Sequence, residues 1–169
     1  MSVNRGKQFE SVVKDAFECV QGVSVDRLYD NQSGYTGIAT IADFVVYKEP
    51  YEYYIECKSV HGNRLSINSN DPKKKYGNIS NKQWEGMLEK SKIQGVFAGV
   101  LCWFIDHDVT VFLPIQTLNI WKTQTFVKSV PYNIAEYDFD AITIQGVKKR
   151  VFFDYDFKSF FEHFEKCGG

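Results

Sequence analysis

The stretch Val96-Phe97-Ala98-Gly99-Val100-Leu101-Cys102-Trp103-Phe104-Ile105 is apolar without interruption. A strand with one wet face alternates apolar and polar residues, so a strand that does not alternate must be covered on both faces. It therefore belongs inside a sheet with a layer on each side, and the chain supplies those layers. Phe9, Val12, Val13, Ala16, Phe17 and Val20 recur at helical spacing over residues 6–21 and make one buried stripe. Phe157, Phe160, Phe161 and Phe164 make another near the C-terminus. A third helix opens at Ser80 and runs to about Lys92. Ser80 and Gln83 are spaced for a capping box, and Ile79 and Trp84 for a hydrophobic staple.

The other strands follow from shorter patterns. Val23–Tyr29 reads as a first strand, and the polar run 31–37, with Gly34 and Gly37, as a loop. Ile41–Tyr47 and Tyr53–Lys58 read as a hairpin turning at Lys48-Glu49-Pro50. Residues 61–78 form a long basic connection. Asp106-His107-Asp108 turns the chain back into Val109–Leu113, and Pro114 opens a short helix over Ile115–Trp121. Residues 141–154 suit a further hairpin turning near Gln145-Gly146. The order α-β-β-β-α-β-β-α predicts a single α/β domain over residues 1–169, with a mixed β-sheet flanked by helices.

Inside this frame, charge occurs where it is costly. Asp43 lies in Ile41-Ala42-Asp43-Phe44-Val45-Val46, and Glu56 and Lys58 end Tyr53-Tyr54-Ile55-Glu56-Cys57-Lys58. Charges in apolar strands must be paired, hydrated or bound to a metal. Alternation puts Glu56 and Lys58 on one face, and the turn brings Asp43 opposite Glu56 to within a residue of register. Two facing carboxylates repel unless neutralised, and a hard divalent cation such as Mg²⁺, with Mn²⁺ as a substitute, does this with one or two carboxylates plus water. The carbonyl of Cys57 is a further candidate ligand, and Lys58 can hold a water or a phosphate. The triplet Glu-x-Lys is weak by itself, because ten Glu and sixteen Lys in 169 residues give about one by chance. Its place at the end of an apolar strand, beside a second acid, is what gives it meaning.

Other candidates carry two readings each. Glu10 is either a third acid or an exposed helix acid. Gln83 is either a capping residue or a member of the site. His61 is either a loop histidine or a DNA contact, and neither His61 nor His107 has metal-ligand spacing. Residues 58–92 carry eight basic side chains against three acidic ones, whereas residues 1–57 carry five against nine. A basic block after an acidic strand suits a phosphate backbone held over a cation; a solvated loop is the bland alternative. Net charge is −1, so composition alone does not identify a nucleic-acid binder. No stretch approaches the length of a membrane span, and Met1–Gly6 has no apolar signal core; the expectation is a soluble cytoplasmic protein. Four widely spaced cysteines, without a C-x-x-C pair, predict neither zinc nor a disulfide framework. Cys19, Cys57 and Cys102 read as small core residues.

The pattern Asp43…Glu56-Cys57-Lys58 resembles the PD-(D/E)xK nuclease superfamily. More narrowly, the chain resembles the RecU family of Holliday junction resolvases. Asn4-Arg5-Gly6 with Glu10, Lys82-Gln83-Trp84-Glu85-Gly86-Met87, and Gly95-Val96-Phe97-Ala98-Gly99-Val100 occur in the family's order between residue 4 and about 118. The resemblance implies a restriction-endonuclease-like core and a homodimeric, Mg²⁺-dependent endonuclease that resolves four-way DNA junctions in recombination and repair, in a bacterial or phage-infected cell. Asp43 and Glu56 would bind metal, with Lys58, Glu10 and Gln83 completing the site. Arg5, Tyr35, Thr36, Arg64, Lys73, Lys74, Lys75 and Lys82 are the expected DNA contacts. The chain departs from the family at Ala42, where a small polar residue is common. It departs again at Val23–Thr40, which is too short for the protruding segment of bacterial members. Archaeal-type resolvases are a close second comparison. A duplex-cutting restriction or repair nuclease and an inactive DNA-binding module are the rival readings.

Overall fold

The computed structural model describes residues 4–29, 40–67 and 78–167. In chain order, α1 spans Arg5–Glu18, β1 Val23–Arg27, β2 Phe44–Lys48, β3 Tyr51–Val60, β4 Arg64–Ile67, β5 Asn78–Ile79 and α2 Asn81–Lys90. Then follow β6 Val96–Phe104, β7 Val109–Pro114, α3 Ile115–Thr125, β8 Ser129–Pro131, β9 Ile142–Thr143, β10 Gly146–Lys148, β11 Phe153–Tyr155 and α4 Lys158–Cys167.

The main sheet has six strands in the order β1-β2-β3-β6-β7-β9. β3 and β6 are parallel and every other neighbouring pair is antiparallel, so the sheet is mixed. The apolar run becomes β6, inside the sheet, and Ala98–Phe104 carries no exposed side chain. Its side chains divide between two cores. Ala98, Val100, Cys102 and Phe104 join Trp84 and Met87 of α2 and Leu118 and Trp121 of α3. Leu101 and Trp103 join Phe9, Val13 and Phe17 of α1 and Phe160, Phe161 and Phe164 of α4. The second core is mostly aromatic: Phe17 stacks on Phe157 at 3.9 Å, and Phe97 meets Phe164 at 4.4 Å. Each fully buried Phe contributes about 1.5–3 kcal/mol over leaving it exposed, so the α1 and α4 stripes suffice to seat both helices.

Several expectations change in detail. The connection 61–78 is not all loop: β4 and β5 pair in parallel, and β4 pairs with β8, in a small three-stranded sheet. Leu65 and Ile67 are buried there, an alternation too short to stand out among the polar residues around it. The hairpin at 141–154 turns later than Gln145-Gly146. β9 instead pairs with β7 at the sheet edge, and β10 pairs with β11 across a turn at residues 149–152. Helix α1 ends at Glu18, before Gly22 at φ 77°. Cys19, its C-cap, is exposed rather than in the core, while Cys57 and Cys102 are buried; all four cysteines are free. Among the described residues, no helix is long and apolar enough to cross a membrane.

Candidate active site

Strand β3 brings the acids together through its pairing with β2. Phe44 lies opposite Ile55 at the last pair of the ladder, which leaves Asp43 just beyond it, beside Glu56. Asp43 stands one residue before β2, yet the ladder holds it on both sides. Its N–H donates to the Ile55 carbonyl at 3.1 Å, and its carbonyl accepts from the Leu28 N–H at 2.8 Å. Its Oδ2 accepts the Cys57 N–H at 2.8 Å, which ties the carboxylate across the hairpin to the Glu-x-Lys backbone.

Glu56 is only 4% exposed, the one buried carboxylate among the described residues. The Lys58 ammonium lies 2.6 Å from its Oε1, and Gln83 Nε2 donates to the same oxygen at 2.6 Å. Oε2 takes neither bond. Burial, then repulsion from Asp43, pushes the Glu56 carboxyl up to about 7, against the opposing pull of Lys58 and Gln83. Burial pulls Lys58 down, but attraction to Glu56 and Asp43 outweighs it and leaves the ammonium raised. The group at neutral pH is therefore a firmly charged amine beside a carboxylate on the edge of ionisation.

Gln83 caps its helix and reaches Glu56 with opposite ends of one amide. Its Oε1 accepts from the Ser80 N–H at 3.2 Å, and its own N–H donates to Ser80 Oγ at 3.2 Å, closing the capping box. The Nε2 end is thereby aimed at Glu56. Gly86, one turn on, lets α2 lie against the segment leading into Asp43. A Cβ there would stand 2.2 Å from Ile41 Cγ2.

Glu10 reaches the site from the opposite helical layer and pairs with Arg27 of β1. Burial, followed by repulsion from Asp43, raises its carboxyl despite that pairing. The sequence pattern marks Arg27 only as part of a strand. The available signal was its place on the inward side of β1 with Val23 and Val25, at the position opposite Phe44, next to Asp43.

The Cys57 side chain points into the α1 and α4 core, where burial and nearby carboxylates hold the thiol well above its ordinary range. Only its backbone belongs to the site. Among the described residues, no three carboxylate, imidazole or thiol side chains gather into a metal cage. The donor set these residues could offer is two hard carboxylates, with the backbone carbonyl of Cys57 as the further candidate named from the sequence. That fits Mg²⁺, which keeps several waters, and does not fit zinc.

The expected DNA contacts divide. Arg5 begins α1, Lys82 lies in the first turn of α2, and both are exposed. Arg64 is exposed too, but its guanidinium is held by Ser129 Oγ and O at 2.7 and 2.8 Å. Tyr35, Thr36, Lys73, Lys74 and Lys75 lie outside the described residues. His61 binds Asp106 at 2.9 Å, and His107 stacks on Tyr132 at 3.6 Å.

No protein-family model matches the chain, and no curated protein matches it. Among solved structures the chain is similar to Hjc of Archaeoglobus fulgidus, a Holliday junction resolvase from an archaeal hyperthermophile. The identity is 17% and the TM-score 0.44, over 68% of this chain and 75% of that one.

Proposed function

We propose that the protein is a metal-dependent DNA endonuclease with a PD-(D/E)xK-type, restriction-endonuclease-like site, acting on four-way junctions as a homodimer. One observation carries the reading: Asp43 Oδ2 takes the Cys57 N–H at the end of the β2–β3 ladder, beside Glu56, with Lys58 and Gln83 both on Glu56 Oε1. A cluster of this cost has no structural purpose at a buried level of the sheet. Asp43, Glu56 and the Cys57 carbonyl would hold Mg²⁺, or Mn²⁺ in its place. A bound cation of this kind acidifies water and stabilises charge on a phosphoryl group in transfer.

The remaining chemistry belongs to the chain. Lys58 supplies a fixed positive charge beside the reacting phosphate and a donor to orient water. Gln83 holds the Glu56 carboxylate in one rotamer. Glu10 and Arg27 close the far side, and the Cys57 N–H keeps Asp43 in register. Two opposed cuts across a junction need two sites in fixed relation, which a C2 dimer provides. The RecU-like pattern in the sequence favours junctions over linear duplex.

The test is cleavage of a labelled four-way junction, a matched duplex and a single strand, with and without Mg²⁺. Symmetric nicks on the junction alone are expected, and Glu56→Ala should keep junction binding and lose cleavage by roughly 10³-fold or more. Equal cutting of duplex would assign the protein to restriction or repair chemistry. Binding without any metal-dependent cleavage would make it a binding module.

A further inference from the structure

The β10–β11 hairpin lies at the end of the sheet where β3 delivers Lys58, and it contributes nothing to the Asp43–Glu56–Lys58 cluster. Lys58 and Ser59 register with Cys102 and Trp103 of β6. Trp103 packs at 5.3 Å against Phe152 of the hairpin turn and at 5.8 Å against Phe9, the neighbour of Glu10. Lys148 pairs with Asp108, beyond the same end of β6, and its ammonium sits 4.8 Å from the centre of the Phe153 ring. These contacts anchor the turn end of the hairpin beside the carboxyl end of β3.

Residues 145–151, Gln-Gly-Val-Lys-Lys-Arg-Val, are all exposed. Lys149 makes only a long, exposed contact to Asp154 at 3.8 Å. Val147 is 65% exposed on a strand that has one neighbour. Packing alone does not require three consecutive cations between two exposed valines on such an edge. Arg5 and Lys7, also exposed, open α1 at the same end, where Gly6 lies against Ser59 Oγ.

We infer that the Lys149–Arg150 turn is a second phosphate-backbone contact, gripping the DNA arm on the α1 side of the cleavage site. This rests on the nuclease reading and adds where the substrate lies: across the carboxyl end of β3, between the N-terminus of α2 with Lys82 and the β10–β11 turn. The backbone charge of nucleic acid is the partner chemistry that a short cationic turn with an exposed valine on each side fits.

The test measures binding of a four-way DNA junction without divalent metal, at several salt concentrations, so that loss of catalysis does not enter. Lys149→Ala/Arg150→Ala is compared with wild type and with Lys14→Ala/Lys166→Ala, which removes equal charge from α1 and α4. Thermal melting and light scattering report folding and mass. The hairpin variant should bind about tenfold more weakly at 0.1 M salt, with a slope of log affinity against log salt smaller by about two, while the comparison variant keeps the wild-type slope. An unchanged slope in the hairpin variant, or a conversion from dimer to monomer, would overturn the assignment while leaving the nuclease reading intact. Failure of wild type to bind any nucleic acid would overturn both.

Discussion

Strands β3 and β6 lie side by side, parallel, and at the same depth, yet they are filled differently. Glu56 faces Val100 and Lys58 faces Cys102 in register. β6 shows what the sheet requires at this level, namely apolar side chains between two helical layers. β3 puts a buried ion pair there, facing a second carboxylate. Burying charge usually stabilises less than burying a hydrophobe of the same size, and breaking one half of a pair is worse than removing both. The difference between the neighbours thus separates what the fold demands from what has been placed against its interest.

The comparison breaks most visibly if β3 is made to imitate β6. Lys58→Met alone should cost about 3 kcal/mol at pH 8, because it leaves Glu56 buried without its amine. Glu56→Val/Lys58→Met together should recover that loss and exceed wild type by roughly 1–3 kcal/mol. Urea unfolding of the three proteins measures both values, and a double variant no better than the single would mean that the pair holds the sheet together.

A second test uses pH. A carboxyl raised to about 7 by burial binds its proton more tightly in the folded protein. Its contribution is therefore present below the unfolded-state value, near 4.5, and is lost as pH rises through about 7. Wild type should lose on the order of 3 kcal/mol relative to Glu56→Gln between pH 4.5 and 8. The same ionisation governs cation binding, so the acid limb of cleavage should move to lower pH as Mg²⁺ is increased. A fixed difference between the two proteins across that range would contradict the buried-carboxyl account.

The smallest expected effect falls on Gln83, which joins the helix cap to the site. Gln83→Ala should cost about 1 kcal/mol through the lost capping contact. It should also raise the midpoint of the acid limb, because Glu56 loses a donor to its ionised form. Gln83→Glu can keep the acceptor for Ser80 but sets a second carboxylate against Glu56. It should therefore fail to restore stability at pH 8 and should raise the midpoint further than Gln83→Ala, as melting and pH–rate profiles together would show.

How much of this was legible in the sequence varied with the length of the signal. β6 and the stripes of α1 and α4 are long and periodic, and they appear where the pattern put them. The approach of Asp43 to Glu56 was legible to within a residue because the turn at Glu49-Pro50 leaves little freedom in how the two strands meet. Gln83 was ambiguous because its two roles use different atoms of one amide, which only geometry distinguishes. The pairing of Arg27 with Glu10, the small sheet formed by β4, β5 and β8, and the β10–β11 turn depend on contacts between distant short segments. Two or three residues carry too little periodicity to announce those.

Anomalous diffraction from crystals of the protein soaked in Mn²⁺ decides whether the cluster is a metal site. A peak coordinated by Asp43, Glu56 and the Cys57 carbonyl is expected, absent from the Glu56→Ala protein. A well-ordered site with no peak there, and Lys58 still on Glu56 at saturating Mn²⁺, would rule the metal site out.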